Sequence, residues 1–235
     1  MEFMRKLLLH YLLFFLFSGK LFSFPGEEAK IITYFNSADV KKIDSLCEVI
    51  SADPATTPFD RHYCAGFVHN FLGEYYLQRD DEISEKHLTK AITHLEEAVL
   101  IKPDAELYAL LSSAQGKMVA HVSIFSKMSA GNKAESYLQK AMELDSNNIY
   151  VKYVNAIGLM RRPALFGGDK ELAAEIFTEI LEKYDTFEQP GLVWVSKALI
   201  YFRLWQLADM NDEPEGKNKL EKLLRDQYPE FNLER

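Results

Sequence analysis

Four of the six histidines fall into two pairs with the spacing of one helix face. His62 and His69 are seven residues apart, as are His87 and His94. Seven residues are two helical turns, so the members of a pair lie about 10 Å apart along the axis. One metal ion needs ligands within about 2 Å and would have to take one histidine from each helix together with a carboxylate. Partly buried or surface histidines on a helix pair explain the pattern without a metal ion, and we expect no metal site.

The segment 161–170, RRPALFGGDK, contains two adjacent glycines before an amphipathic run. A glycine-rich turn that opens a helix can bind phosphate. Here Asp169 follows the glycines in the position of a helix cap, and Glu171 adds a second negative charge where an anion would sit. Pro163 ends the preceding helix, and glycine permits a tight turn with positive φ. We therefore interpret the segment as a turn between packed helices.

Recognisable catalytic patterns are absent from the sequence. It contains no G-x-S-x-G, H-E-x-x-H or C-x-x-C motif. His62 and Cys64 are neighbours, but no third residue that would orient them is identifiable. Acidic pairs such as Glu96–Glu97 are expected on the solvated face of a helix. We predict that the protein is not an enzyme and uses no cofactor.

Composition points to a helical, acidic protein. The 235 residues include only 11 Gly and 8 Pro, few for the many tight turns of an all-β chain, while long runs are rich in Ala, Leu, Glu and Lys. The net charge is −8 and Lys and Arg form no long stripe, which argues against a nucleic-acid partner.

The N-terminus has the plan of a signal peptide. Arg5 and Lys6 precede an apolar run over residues 7–17, which is too short for a transmembrane helix of about 20 residues. Cleavage is expected near Ser23, with Gly19 as the alternative; an uncleaved anchor is the competing interpretation. The protein is therefore predicted to be exported, to the periplasm or another part of the envelope.

Export changes the interpretation of the two cysteines, Cys47 and Cys64. Both fall in the part of the chain that follows the signal peptide, and an even number in an oxidising compartment suggests a disulfide. Their helical runs are separated by the turn-like segment 51–58, so the two thiols could face each other across a hairpin. Two buried thiols remain the alternative.

Four segments repeat one pattern: a small residue, a large apolar residue four positions later, an apolar or small residue at position seven, then a breaker. They start at residues 91, 134, 173 and 216, which are 43, 39 and 43 residues apart. This spacing puts the three residues on one face of a helix, and the small residue allows a second helix to approach closely. The pattern residues are Ala91, Leu95, Ala98; Ala134, Leu138, Ala141; Ala173, Phe177, Ile180; and Gly216, Leu220, Leu223.

These segments resemble the second helix of the tetratricopeptide repeat (TPR) superfamily, over roughly residues 60–230. Trp194, Ala198 and Tyr201 stand at the offsets of that family's first helix, and the glycine turn is similar to one in exported bacterial TPR proteins. The resemblance implies an all-α fold, a right-handed α-solenoid of helical hairpins whose first helices line a concave face. Because the repeat spacing exceeds the family's usual ~34 residues, longer-than-usual helices and inserted turns are expected.

We divide the chain into a signal peptide (1–23), an N-terminal helical cap (24–57) and a TPR-like helical repeat domain (58–235). The insertions are predicted in two places: a helix prolonged to residue 129 that ends at a Gly131–Asn132 turn, and the glycine turn. The predicted helices are 27–35, 38–51, 58–79, 83–102, 105–129, 132–145, 149–161, 170–185, 191–210 and 215–227.

Aromatic and polar residues on the first helices are the candidates for binding. Most of the aromatic residues are expected in the core, and a minority would contact an extended peptide or an apolar ligand. The leading hypothesis is a non-catalytic scaffold that holds a protein or peptide partner in the concave groove. The alternative, from a fainter similarity to the periplasmic TPR-like T-component of solute transporters, is a small-molecule-binding accessory protein. The predicted groove residues are Tyr108, Tyr150, Tyr153, Asn155, Arg161, Arg162, Arg203 and Gln206.

Overall fold

A computed structural model describes residues 57–187 and 195–233, together with residues 37, 39–43 and 45 of an earlier helical segment. Every regular element of the described residues is helical, as the composition predicts. None of the described helices is both long and apolar enough to span a membrane. The α-helices are α1 (Pro58–Tyr76), α2 (Asp81–Ile101), α3 (Ala105–Met118), α4 (Ile124–Asp145), α5 (Ile149–Arg161), α6 (Lys170–Glu182), α7 (Lys197–Met210) and α8 (Pro214–Gln227).

Side-chain caps fix most of the helix starts. Asp80 Oδ1 accepts a hydrogen bond from the backbone N–H of Ile83 at 3.0 Å, and Asp104 Oδ1 accepts one from Leu107 at 2.9 Å. Such a bond satisfies one of the N–H groups that a helix start leaves without a partner. The same kind of bond is made at four further helix starts by Thr57, Asn148, Asp169 and Ser196.

Successive helices pair as hairpins: α1 with α2, α3 with α4, α5 with α6, and α7 with α8. The first helices also contact one another in order, α1 with α3 and α3 with α5. In α2 the repeat residues Ala91, Leu95 and Ala98 are fully buried, and those of α6 are fully buried as well. In α8 the buried residue is Leu224, next to the predicted Leu223.

Small residues also allow close packing from the side of α1, the helix that faces α2. A methyl group added at Gly66 of α1 would lie 2.5 Å from Leu95 Cγ, and one added at Gly73 would lie 2.6 Å from Leu88 Cγ. The two glycines therefore let α1 approach the leucines of α2 more closely than any side chain would permit.

The predicted turn at Gly131–Asn132 is wrong. Helix α3 ends at Met118, and α4 runs without interruption from Ile124 through both residues to Asp145. The break lies at residues 119–123, where the side chain of His121 is buried: its Nε2 lies 3.0 Å from Ser84 Oγ and its Nδ1 lies 2.9 Å from Asp81 Oδ1. Contacts with the start of α2 thus set the position of this break.

The glycine turn is confirmed. Gly167 has φ +80°, and a Cβ at Gly168 would overlap the carbonyl oxygen of Arg162, so both positions require glycine for different reasons. Asp169 Oδ1 accepts the N–H of Leu172 at 2.9 Å and caps α6, in the place that an anion would need. Helix α7 begins at Lys197, after its cap Ser196, and not at the predicted residue 191.

Several predictions concern residues outside those described. These are the signal peptide, nearly all of the N-terminal cap, Trp194 and Cys47. Cys64 is buried beside Ile43, Val68 and Leu72. The proposed pairing of the two cysteines therefore stays a prediction.

Candidate functional site

One carboxylate on α1 forms ion pairs with three cationic side chains, each from a different helix. Glu74 Oε1 lies 2.6 Å from Arg203 Nη2 of α7 and 3.1 Å from Arg161 Nη2 at the end of α5. Glu74 Oε2 lies 3.0 Å from Lys117 Nζ of α3. Three positive charges around one negative charge leave a formal excess of two.

A second set of hydrogen bonds orients the cations. Arg203 Nε donates to the hydroxyl of Tyr153 at 2.8 Å, and Arg203 Nη1 donates to Gln206 Oε1 at 2.9 Å. Lys117 Nζ donates to Asn70 Oδ1 at 2.9 Å, which fixes the amide of Asn70 one helical turn before Glu74. With Arg203 and Lys117 both 5% exposed in their side chains, this network is a preorganised polar core under the surface.

Burial and the neighbouring charges act in opposite directions on Glu74. Burial disfavours its ionised form, but Lys117, Arg203 and Arg161 outweigh that effect and hold the pKa of Glu74 well below its usual range. Burial lowers the pKa of Lys117 to about 8, although Glu74 acts against this shift. At neutral pH the cluster therefore holds one carboxylate anion and three cations.

The cluster opens to solvent in a cleft of about 70 Å³ between the C-terminal end of α1, the end of α5 and the middle of α7. Within the cluster, the Arg161 side chain is the most accessible charged group, with 36% of its surface exposed. Arg79 also lines the cleft; it donates to the carbonyl of Tyr75 at 2.7 Å, and its guanidinium lies 4.3 Å from the centroid of the Tyr75 ring. Glu74 is the only acidic residue among those that line this cleft, which are Phe71, Glu74, Tyr75, Leu77, Gln78, Arg79, Arg161, Phe202, Arg203 and Gln206.

Four predicted groove residues meet at this cluster. Arg161, Arg203 and Gln206 line the cleft, and Tyr153 supports Arg203 from below. Tyr150 is buried and stacks on Tyr153 at a centroid distance of 6.0 Å.

The other three predicted residues lie apart from the cleft lining. Arg162 points to α4, where its Nη1 lies 2.6 Å from Glu135 Oε2. Tyr108 stacks on Tyr137 of α4 at 6.2 Å. Asn155 is half-buried on α5.

Sequence reasoning missed Glu74, Lys117 and Asn70. One signal was available: Asn70 and Glu74 are four residues apart, hence on one face, in a helix that is otherwise apolar on its buried side. Polar residues on a buried face need partners. Nothing local in the sequence indicates that those partners come from α3, α5 and α7.

The four histidines form a second polar cluster, between α1 and α2. The Nδ1 atoms of His62 and His94 are 3.1 Å apart, and so are those of His69 and His87. All four rings are half-buried. Within the described part of the chain, no three His, Cys, Asp or Glu side chains converge as a metal site would require.

No family model, curated protein or solved structure matches this chain. The described residues define an all-helical protein with a preorganised cationic cleft.

Proposed function

We propose that this protein is a non-catalytic binding module that holds a protein or peptide partner and anchors a carboxylate of that partner in the cleft beside Arg161. The main support for this proposal is an imbalance of charge. Three cationic side chains, Arg161, Lys117 and Arg203, contact the single carboxylate of Glu74. They do so in a chain whose net charge is −8. A local cationic cleft on an acidic protein attracts an anionic group by focusing its field.

The geometry suits a carboxylate in particular. An arginine guanidinium offers a planar fork of donors that matches the two oxygens of a carboxylate. One Nη of Arg161 donates a hydrogen bond to Glu74. Because the side chain is partly exposed, its other N–H groups can donate to a ligand. Arg203 is held in place by Tyr153 and Gln206, which removes the entropy cost of ordering it during binding.

Aromatic side chains extend the site beyond the charges. Phe71, Tyr75 and Phe202 line the same cleft as the arginines. Their rings offer apolar contact to the residues that flank an acidic group, as is usual in peptide recognition. This combination favours a peptide segment over a free inorganic anion.

The arrangement proposed for the whole repeat domain is a right-handed α-solenoid of TPR-like hairpins. The ordered hairpins and the contacts of α1 with α3 and of α3 with α5 support it. The first helices carry Glu74, Lys117, Arg161 and Arg203, as expected if those helices line the binding face. Export to the periplasm or envelope, through cleavage near Ser23, is part of the same proposal and would place the partner in an envelope complex.

The competing function is a small-molecule-binding accessory protein of a transporter. Sites for drug-sized ligands usually measure about 300–1,000 Å³ and are mainly apolar, whereas this cleft measures about 70 Å³ and carries four charged side chains. The cleft therefore supports the peptide hypothesis better.

The test uses an array of random peptides, each prepared with a free C-terminal carboxylate and again as the amide. The full chain is expected to select peptides with an acidic residue or a free carboxylate, and to release them as salt is raised. Arg161→Gln should lower the affinity for the selected peptides by about tenfold. This corresponds to the loss of one charge-assisted hydrogen bond of about 1.4 kcal/mol.

Arg162→Gln is the matched control. It removes the same charge from the next residue in the chain, whose side chain faces Glu135 and not the cleft. It should change the affinity by less than about twofold, since rim charges outside a site contribute little. Equal effects of the two substitutions, or selection of peptides without regard to charge, would contradict the proposal. A co-purifying apolar molecule in native mass spectra, with no peptide binding, would favour the transporter accessory.

A further inference from the structure

The histidines between α1 and α2 form a continuous row across the hairpin. Ring centroids are separated by 5.3 Å for His62 and His94, 6.0 Å for His94 and His69, and 5.1 Å for His69 and His87. Each close pair takes one ring from each helix. The spacing of seven residues on both helices thus produces two equivalent pairs one above the other.

The separation within each pair matches that of two ligands on one metal ion. Bonds from zinc to imidazole nitrogen measure about 2.0–2.1 Å, so two such nitrogens at 90–110° from each other lie about 2.9–3.4 Å apart. The observed Nδ1–Nδ1 distance is 3.1 Å in both pairs.

Packing between α1 and α2 restricts the rings, since all four are half-buried. Tyr76 stacks on His87 at 5.9 Å and limits the freedom of that ring.

We propose that each histidine pair is a two-imidazole site for a divalent transition metal, Cu²⁺, Ni²⁺ or Zn²⁺, which cross-links α1 to α2. Imidazole nitrogen suits these three ions, and Cu²⁺ is expected to bind most tightly. Because no third protein ligand converges in the described residues, water completes the coordination from the exposed side of the half-buried rings. In the metal-free pair one Nδ1 carries a hydrogen; on binding, this proton moves to Nε2 of the same ring, so no net proton is released.

The test is a titration of the full chain, first stripped with a chelator, with each metal salt alone. Calorimetry should give up to two metal ions per chain in addition to any bound elsewhere, and the thermal midpoint should rise with metal concentration. His87→Gln with His94→Gln removes one ligand from each pair and should weaken both sites by at least about tenfold, a loss of about 1.4 kcal/mol per site. Thr93→Gln, an exposed position next to His94, is the control and should change neither quantity.

Copper spectroscopy on the unmodified chain makes the test independent of how well the variants fold. Electron paramagnetic resonance of the Cu²⁺ form should show coupling to two imidazole nitrogens per ion. Binding that is unchanged in the His87→Gln/His94→Gln variant, or a copper spectrum without two equivalent imidazoles, would overturn the proposal. So would a failure of all three metals to bind at micromolar concentration.

Discussion

Arg203 on α7 donates from Nη2 to Glu74 Oε1 on α1 at 2.6 Å, across 129 residues of sequence. The same carboxylate receives Lys117 from α3 and Arg161 from α5. Glu74 therefore joins four helices from four different hairpins through one side chain. Cations that are buried together depend on their shared counter-ion, because each would otherwise lie desolvated and unpaired.

The substitution Glu74→Gln should consequently destabilise the fold. It keeps the shape of the side chain but leaves Lys117 and Arg203 without their counter-ion. Removal of one partner from a buried pair costs about 3–5 kcal/mol, and because Glu74 is 27% exposed we expect about 2 kcal/mol here. Urea unfolding gives the free energy directly. The control is Glu135→Gln, which removes an exposed partner of Arg162 and should cost less than about 0.5 kcal/mol. Equal losses of unfolding free energy in the two variants would show that the Glu74 cluster contributes no more to stability than a surface ion pair.

The substitution Gly66→Ala tests the close approach of α1 and α2. Alanine is the better helix former by about 1 kcal/mol, yet its methyl group would lie 2.5 Å from Leu95 Cγ, and overpacking costs about 1–3 kcal/mol. A net loss of up to about 2 kcal/mol in thermal or urea unfolding is expected. At Gly116, on the exposed side of α3, nothing lies within 4 Å of the added methyl group, so Gly116→Ala should stabilise by up to about 1 kcal/mol. A gain in stability for both variants would mean that the leucine moves aside at little cost.

The glycine turn should be sensitive at both positions, and more so at the second. Gly167 has φ +80°, which costs a side chain about 1–2 kcal/mol. At Gly168 an added Cβ overlaps the carbonyl oxygen of Arg162, part of the backbone, so the turn itself must shift. Denaturant midpoints should therefore fall in the order wild type, Gly167→Ala, Gly168→Ala. Gly131→Ala, in the open interior of α4, serves as the neutral or stabilising control; the reverse order at the two turn positions would refute this account.

Local sequence chemistry was sufficient for the helical class of the fold and for several of the helix starts. Asp169 was predicted as a cap because capping joins residues only three apart, and the structure confirms it. The repeat pattern identified Ala91, Leu95 and Ala98 as core residues because periodicity on one helix reports one face. Such signals are contained within a single element.

Long-range contacts account for what the sequence did not reveal. The break between α3 and α4 was placed at Gly131, where glycine weakens a helix, but it occurs where His121 reaches Ser84 and Asp81 of α2. Similarly, Arg161 and Arg203 were selected as charged residues on first helices, whereas their partner Glu74 was not. Its role depends on three helices that follow it in the sequence, and no local pattern encodes that meeting.

The histidine row predicts that acid weakens the fold in a defined pH window. Burial, then His87, Lys90 and His94, lowers the pKa of His69 from 6.5 to about 4. The unfolded chain therefore binds a proton at His69 that the folded chain does not, and stability falls as pH falls from about 6.5 towards 4. With screening of a partly exposed ring taken into account, the loss is about 1–2 kcal/mol. Two protonated rings of a pair would also direct Nδ1–H groups at each other.

Urea unfolding between pH 7 and pH 5, with a chelator present, measures this dependence while limiting the contribution of carboxylates that titrate lower. The quantity to compare is the slope of the unfolding free energy against pH, because His69→Gln changes the packing as well as the charge. The slope should be smaller in His69→Gln than in the wild type and unchanged in Thr93→Gln. A wild-type stability that is flat over this range would mean that His69 keeps an ordinary pKa and that the hairpin accommodates its protonated ring.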